Sequence, residues 1–409
     1  MSDLNLVLAI AGWMVLLTGL VSRQLSRMDV PEPLLALAVG VLIGPSALAL
    51  LDIANWGDQT VILEEAARIT LGIGLMGVAL RIPKEYLSRN WRSVLLVLLI
   101  LMPFMWLSGS LLIMAVLGLP LLSALLLAAV ITPTDPIVAS AIVTGSIARQ
   151  HLPDRLRHLL SAESGANDGL AYPIVLLSIL WLTQPAGAGY SWWLLHALLW
   201  GVGGGVLLGG GIGYAAGHLL KWAEAGHAIE RRLFLAFAVA LTLFALGTVR
   251  LLGSEDLLAV FAAGLALDYV LSAGERTEEE NVVEAINSFF TLPIFTLIGL
   301  VLPWGAWLRI GWTGVLLAVA VLLLRRLPIL ALVRTRIGGL HSGADVLFLG
   351  WFGPTGVAAL YYASYSLRIT GLEEVWIVGS LVLCTSIVLH GLSSTPFDLW
   401  YGRRAQASG

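Results

Sequence analysis

A single cysteine, Cys384, stands in the whole chain, and it lies inside an apolar run. A disulfide framework and a cysteine-based zinc site are both excluded. Charge is equally sparse. Asp, Glu, Lys and Arg make up 12% of the residues, the formal net charge is -3, and the basic residues form no tract. Such a chain offers nucleic acid no electrostatic surface. The phosphate-cradling pattern G-x-x-x-x-G-K-[ST] is also missing, so the driving force expected here is an ion gradient rather than ATP. The first apolar run, residues 4–21, lacks the basic lead-in and the small-residue exit of a cleaved signal and reads as a membrane span.

What the chain has instead is apolar length. Hydrophobic residues reach 58%, and the mean hydropathy is +0.90, which marks an all-α polytopic membrane protein. Its 44 glycines suit tight helix crossings and local unwinding in a bilayer. At about 20 apolar residues per crossing, spans are expected near 4–21, 34–51, 61–80, 94–117, 120–146, 159–182 and 192–219. Six more follow near 233–250, 255–272, 285–303, 312–333, 344–366 and 375–395, giving thirteen. An odd number puts the termini on opposite sides. With the N-terminus outside, seventeen of the 23 basic residues fall inside and only Arg250, Arg309 and Arg368 outside, the positive-inside pattern. Residues 397–409 are then a short cytoplasmic tail, with no regulatory domain expected.

The sixth span carries the densest polar group, Ser161-Ala-Glu-Ser-Gly-Ala-Asn-Asp168. At 3.6 residues per turn, Ser164 and Asp168 share one stripe and Glu163 and Asn167 the neighbouring one. A carboxylate held in hydrocarbon costs at least about 2.5 kcal/mol, and such groups normally face a cavity, a partner or an ion pathway. Gly165 and Ala166 leave room for a second backbone.

Two other spans should be broken. Thr132-Pro-Thr-Asp-Pro136 sits in the fifth, where paired prolines remove backbone donors and stop the helix. Thr134 and Asp135 could offer oxygens to a cation, or could simply back-bond to the freed backbone of a kink. Gly350-Trp-Phe-Gly-Pro-Thr-Gly356 interrupts the twelfth span at Gly353, Pro354, Thr355 and Gly356, and paired interruptions in two halves point to a transporter's midplane site. The eleventh span holds Arg325 and Arg326 ahead of Pro328. Buried guanidinium groups need partners, and an ion pair of Glu163 with Arg326 is the preferred reading. In the third span Glu64 or Glu65 can pair with Arg68 at a salt-bridged helix end.

The pieces Thr134-Asp135-Pro136, Glu163-Ser164-x-x-Asn167-Asp168, Pro293-Ile-Phe-Thr-Leu-Ile-Gly299 and Gly350-Trp-Phe-Gly-Pro-x-Gly356 occur in that order. With Gly77-Val-Ala-Leu-Arg81 and Phe261-Ala-Ala-Gly-Leu265, they resemble the cation/proton antiporters of the NhaP and sodium/proton exchanger type over about residues 60–395. The resemblance implies an NhaA/NhaP-like fold with inverted repeats and two crossed, unwound helices, in a single membrane domain spanning 1–409. Its core would take parts of 61–182 and 285–395, and its dimerisation side 1–51 and parts of 192–250, in a homodimer in the inner cell membrane. Asp168 would bind either a cation or a proton, with Ser164, Thr134 and the Asp135 region completing an oxygen site for sodium and also lithium. Asn167 stands where electrogenic relatives keep a second Asp, which implies electroneutral one-for-one exchange without any cofactor. Relatives often carry Arg at the position of Thr355, and either Arg325 or Arg326 matches the family's buried Arg.

Two alternatives remain. A potassium rather than sodium exchanger would use the same residues. An intramembrane serine hydrolase would need Ser164 as nucleophile and His390 as base, although His390 also fits a hydrogen-bonded core histidine.

Overall fold

The computed structural model describes residues 31–143, 146–185, 187–225, 234–271 and 290–407, together with positions 5, 9, 12, 13 and 16. Most of the expected first span, with Arg23, Arg27, Arg231, Arg232 and Arg276, lies outside the described residues. All regular structure among the described residues is helical. The first principal helices are α1 (Glu32–Ile43), α2 (Gln59–Arg81), α3 (Lys84–Leu117), α4 (Leu121–Ile131), α5 (Pro136–Val143), α6 (Asp154–Thr183), α7 (Tyr190–Ala223) and α8 (Phe234–Leu251). After them come α9 (Asp256–Val270), α10 (Phe290–Leu300), α11 (Trp304–Ile310), α12 (Trp312–Leu324), α13 (Leu327–Val333), α14 (Gly343–Trp351), α15 (Val357–Thr370) and α16 (Glu373–Ala407).

Short polar side chains set several helix starts. Asp58 accepts from Thr60 N–H at 2.8 Å and opens α2. Ser342 and Asp345 form a reciprocal capping box at the start of α14. Glu255 caps α9 through Leu258 N–H. Gly118 and Gly371 close α3 and α15 in the left-handed region, at φ 66° and 69°.

Six helices are long and apolar enough to cross a bilayer among the described residues, and the pair α10 and α11, bent by 64°, can count as a seventh. The protein is therefore a multi-pass membrane protein. Of the thirteen expected spans, the first lies mostly outside the described residues, as does the start of the tenth. Among the others, Glu64, Glu65 and Arg68 charge α2, α1 and α9 are short, and the fifth and twelfth are each divided by a break.

In lipid no hydrophobic force pulls helices together, so close approach of small residues does much of the packing. On α7, a Cβ at Gly209 or Gly213 would fall on the backbone of Ala259 or Ala263 of α9. Next to that contact, the ring of Phe261 fills the space left by Gly165 on α6, and one turn further on Leu258 and Glu255 fill that left by Gly169. Gly264 accepts Met76 and Ala79 of α2 in the same way. Adding a methyl at such points costs about 1–3 kcal/mol. The result is that α6, with its polar residues, runs buried among α2, α4, α9 and α15.

Candidate functional site

The two interrupted spans meet where both have lost their helical hydrogen bonds. Residues 132–135 separate α4 from α5, and 352–356 separate α14 from α15. Asp135 N–H donates across to Pro354 O at 2.8 Å. The Asp135 carboxylate then closes both helix starts. One oxygen accepts from Ile137 N–H at 2.7 Å and Val138 N–H at 2.9 Å, and the other from Val357 N–H and from Ala358 N–H at 3.3 Å. Two positive helix ends thus converge on one buried anion. Gly356 makes this possible, since a Cβ there would lie 2.6 Å from the carboxylate. The four N–H groups use the lone-pair sites that a carboxylate offers, so Asp135, expected to be a cation ligand, is committed to backbone.

The opposite, carbonyl ends of the breaks are taken by Arg325. Its guanidinium donates to Ile131 O, to Gly353 O at 2.9 Å and to Thr355 Oγ1 at 3.3 Å. Arg326 turns the other way. It donates to Leu349 O at 2.6 Å and meets both oxygens of Glu163 at 2.5 Å, a two-pronged pair. Arg325 and Arg326 are each only 2% exposed. Of these adjacent residues, then, Arg326 faces Glu163 and Arg325 faces the breaks.

On α6 the clasp to the first break is Asn167. Its amide nitrogen donates to Thr134 Oγ1 at 2.6 Å, and its oxygen accepts from Thr134 N–H at 3.2 Å. Ser164 donates its hydroxyl proton to Leu160 O, which leaves the oxygen's lone pairs available. Tyr362 donates to the backbone oxygen of Asp168 at 2.6 Å. The carboxylate of Asp168 differs from all its neighbours: it is fully buried, and neither oxygen has a hydrogen-bond partner. No hydrogen bond joins it to Ser164, Thr134, Asp135 or Asn167. Ser164 and His390 do not form a nucleophile and base, because both ring nitrogens of His390 bond within α16 or to Trp351 O. Among the described residues no group of three His, Cys, Asp or Glu side chains could hold a metal ion. The side chains nearest Asp168 offer oxygen atoms, the donor type that suits hard cations.

Several contributors were not legible beforehand. Ser386 and His390 brace the second break from α16, through Thr355 N–H and Trp351 O. Near the start of α9, Arg68 bonds Asp256 at 2.5 Å and Glu65 at 2.6 Å, while Arg368 takes Glu64 at 2.7 and 2.9 Å. Arg250 donates to Tyr361 Oη at 3.0 Å in the same cluster. At the start of α14, Asp345 accepts from Arg155 at 2.9 Å and from Tyr401 at 2.5 Å. Helical spacing could reveal the Glu65 pairing alone, since the other partners come from distant segments.

Comparisons with known proteins agree on one family. The family model described as "Sodium/hydrogen exchanger, transmembrane" matches residues 12–400. A Na(+)/H(+) antiporter 2 of Zygosaccharomyces rouxii is 33% identical over 90% of this chain and 49% of its own. A Na(+)/H(+) antiporter of Schizosaccharomyces pombe is 30% identical over 91% of this chain and 86% of its own. The chain thus spans about half the length of the first relative. In fold, it is similar to a sodium proton antiporter from Methanocaldococcus jannaschii, with a TM-score of 0.72 at 20% identity over 97% of this chain and 99% of that one. With the match running through both breaks and the whole of α6, the chain belongs to the sodium/hydrogen exchanger family.

Proposed function

We propose that this protein exchanges a monovalent cation, sodium or lithium, for a proton across the membrane, with Asp168 binding the two in turn. The observation that carries the reading is the unpartnered, fully buried carboxylate of Asp168 beside two broken helices. Charge accounting supports it. At the two breaks Arg325 and Arg326 stand against Asp135 and Glu163, so an ionised Asp168 adds a negative charge with no resident cation bonded to it. Burying such a charge is costly. One sodium ion or one proton would neutralise it.

Ser164 and Thr134 supply neutral oxygens near Asp168, Asn167 holds Thr134 in place, and Asp135 fixes the two breaks through its caps. Glu163 and Arg326 form a structural pair. Because cation and proton compete for one acid, the carboxylate changes sides only when occupied, and the two fluxes are locked together. Asn167, being uncharged, supports one-for-one electroneutral exchange. Sodium and the proton are cargo, and no resident cofactor takes part.

The rest of the reading follows the family resemblance. The chain makes thirteen crossings in inverted repeats, with the two breaks crossing near the midplane. The N-terminus is outside and the C-terminus cytoplasmic in the cell membrane, and the protein is a homodimer with 1–51 and parts of 192–250 on the dimer side. Reconstituted vesicles test the proposal. An imposed sodium or lithium gradient should drive proton movement that is indifferent to membrane potential, with a weaker response to potassium. A response to potassium alone would make the protein a potassium exchanger, and none to any of the three ions would end the exchange reading.

A further inference from the structure

His390 and Ser386 lie on α16, one turn apart, with His390 1% exposed and Ser386 fully buried. Their hydrogen bonds fix a direction. Nε2 of His390 lies 2.9 Å from Trp351 O. Nδ1 lies 2.9 Å from Ser386 Oγ and 3.0 Å from the Ser386 backbone oxygen. A carbonyl only accepts and is the partner of Nε2, whereas Nδ1 also has a hydroxyl that can donate to it, so the neutral ring satisfies both nitrogens when Nε2 carries the proton and Nδ1 takes the Ser386 hydroxyl proton. The Ser386 oxygen in turn accepts Thr355 N–H at 2.8 Å. A single chain results, from Thr355 N–H through Ser386 Oγ–H to Nδ1, and from Nε2–H to Trp351 O.

The two ends of that chain lie on either side of the break. Trp351 is the last residue of α14, and Thr355 comes just before α15. Of the three residues between them, Phe352 carries only an apolar ring and Gly353 and Pro354 no hydrogen-bonding side chain, so the side chains that tie the two ends of the gap to one another come from α16. The groups whose position it sets are those that reach the first break: Gly353 O and Thr355 Oγ1 on Arg325, and Pro354 O on Asp135 N–H. From Asp135 the next residue is Thr134, clasped by Asn167. The rings of Trp351 and Phe352 lie 5.1 and 6.2 Å from the imidazole and confine it.

We infer that His390, acting through Ser386, is a positioning residue for the cation site: it fixes the width of the second break and so the placement of Thr134 next to Asp168. The inference rests on the exchange reading. Its signature is a loss of cation affinity without an equal loss of turnover. In vesicles, Ser386→Ala and His390→Phe should raise the half-saturating sodium concentration about five- to tenfold while maximal proton flux stays within about twofold. Ser386→Thr, which keeps the hydroxyl, should restore the wild-type value. An unchanged half-saturation in folded Ser386→Ala protein, or a Ser386→Thr variant as impaired as Ser386→Ala, overturns the assignment. The tautomer is read separately, by nitrogen NMR of isotope-labelled histidine with the His390→Phe variant assigning the signal. A protonated Nε2 with a bare Nδ1 supports the brace, and the reverse overturns it even if His390→Phe transports poorly through misfolding, since the assignment can then use His390→Gln. Wild-type vesicles with no cation-driven proton flux would count against the exchange reading, while the tautomer still tests the brace.

Discussion

Glu163 and Asp168 are buried acids five residues apart on the same helix, yet their surroundings are opposites. Glu163 is met on both oxygens by Arg326 at 2.5 Å, whereas Asp168 has no partner on either. Both sit where hydrocarbon would expel a free charge. One has its counter-ion built into the chain, and the other has no hydrogen-bond partner among the described residues. Burial alone therefore does not set Asp168 apart, since Glu163 is buried as well; under the proposed exchange it is the lack of any resident partner that leaves Asp168 open to a cation or a proton.

The contrast can be broken most decisively at Asp168. Asp168→Asn is expected to abolish sodium-driven proton flux in vesicles, a loss of more than about a hundredfold, with folding intact because an uncompensated charge has been removed. Retained flux would erase the distinction between the two acids. Next in size, Arg326→Ala should lower stability by about 3–5 kcal/mol, since it strands the Glu163 carboxylate. Thermal unfolding in detergent checks this, and unchanged stability would show that the pair contributes nothing. Replacing both partners together, Glu163→Leu with Arg326→Met, should recover most of the loss.

Smaller changes sharpen the comparison. Asn167→Asp adds a second ionisable acid beside Thr134 and should make exchange respond to membrane potential, measured with a potassium-valinomycin clamp. Flux as indifferent to potential as wild type would refute it. Ser164→Ala removes one neutral oxygen and should weaken sodium binding about tenfold, the effect of roughly 1.4 kcal/mol. The proton competes for the same acid, so below its pKa each unit fall in pH should raise half-saturating sodium by about tenfold. A flat dependence would mean that cation and proton occupy different groups.

Much of the outline follows from local chemistry. The breaks at 132–135 and 352–356 lie where Pro133, Pro136, Gly353, Pro354 and Gly356 stand, because missing donors and missing side chains act within a turn. The cap made by Asp135 was not legible in the same way, because two of its four N–H partners belong to Val357 and Ala358, more than two hundred positions away. The same limit applies to His390. Its burial could be anticipated from the apolar run around it, but the gap it spans belongs to another segment. Arg325 and Arg326 are neighbours, and only the backbone turn into α13 decides that one faces Glu163 and the other the breaks. Apolar length alone identifies six of the crossings among the described residues; α2 is too charged to be recognised that way, and the spans at both breaks are divided.

The glycines of α6 carry a mechanical consequence. Gly165 and Gly169 are spaced by four residues, about 6 Å along the axis, and each receives a side chain from α9, Phe261 at the first and Leu258 at the second. Side chains seated in such notches key the two helices together, so any displacement of α9 along α6 would have to lift the Phe261 ring clear of Gly165 and Leu258 clear of Gly169.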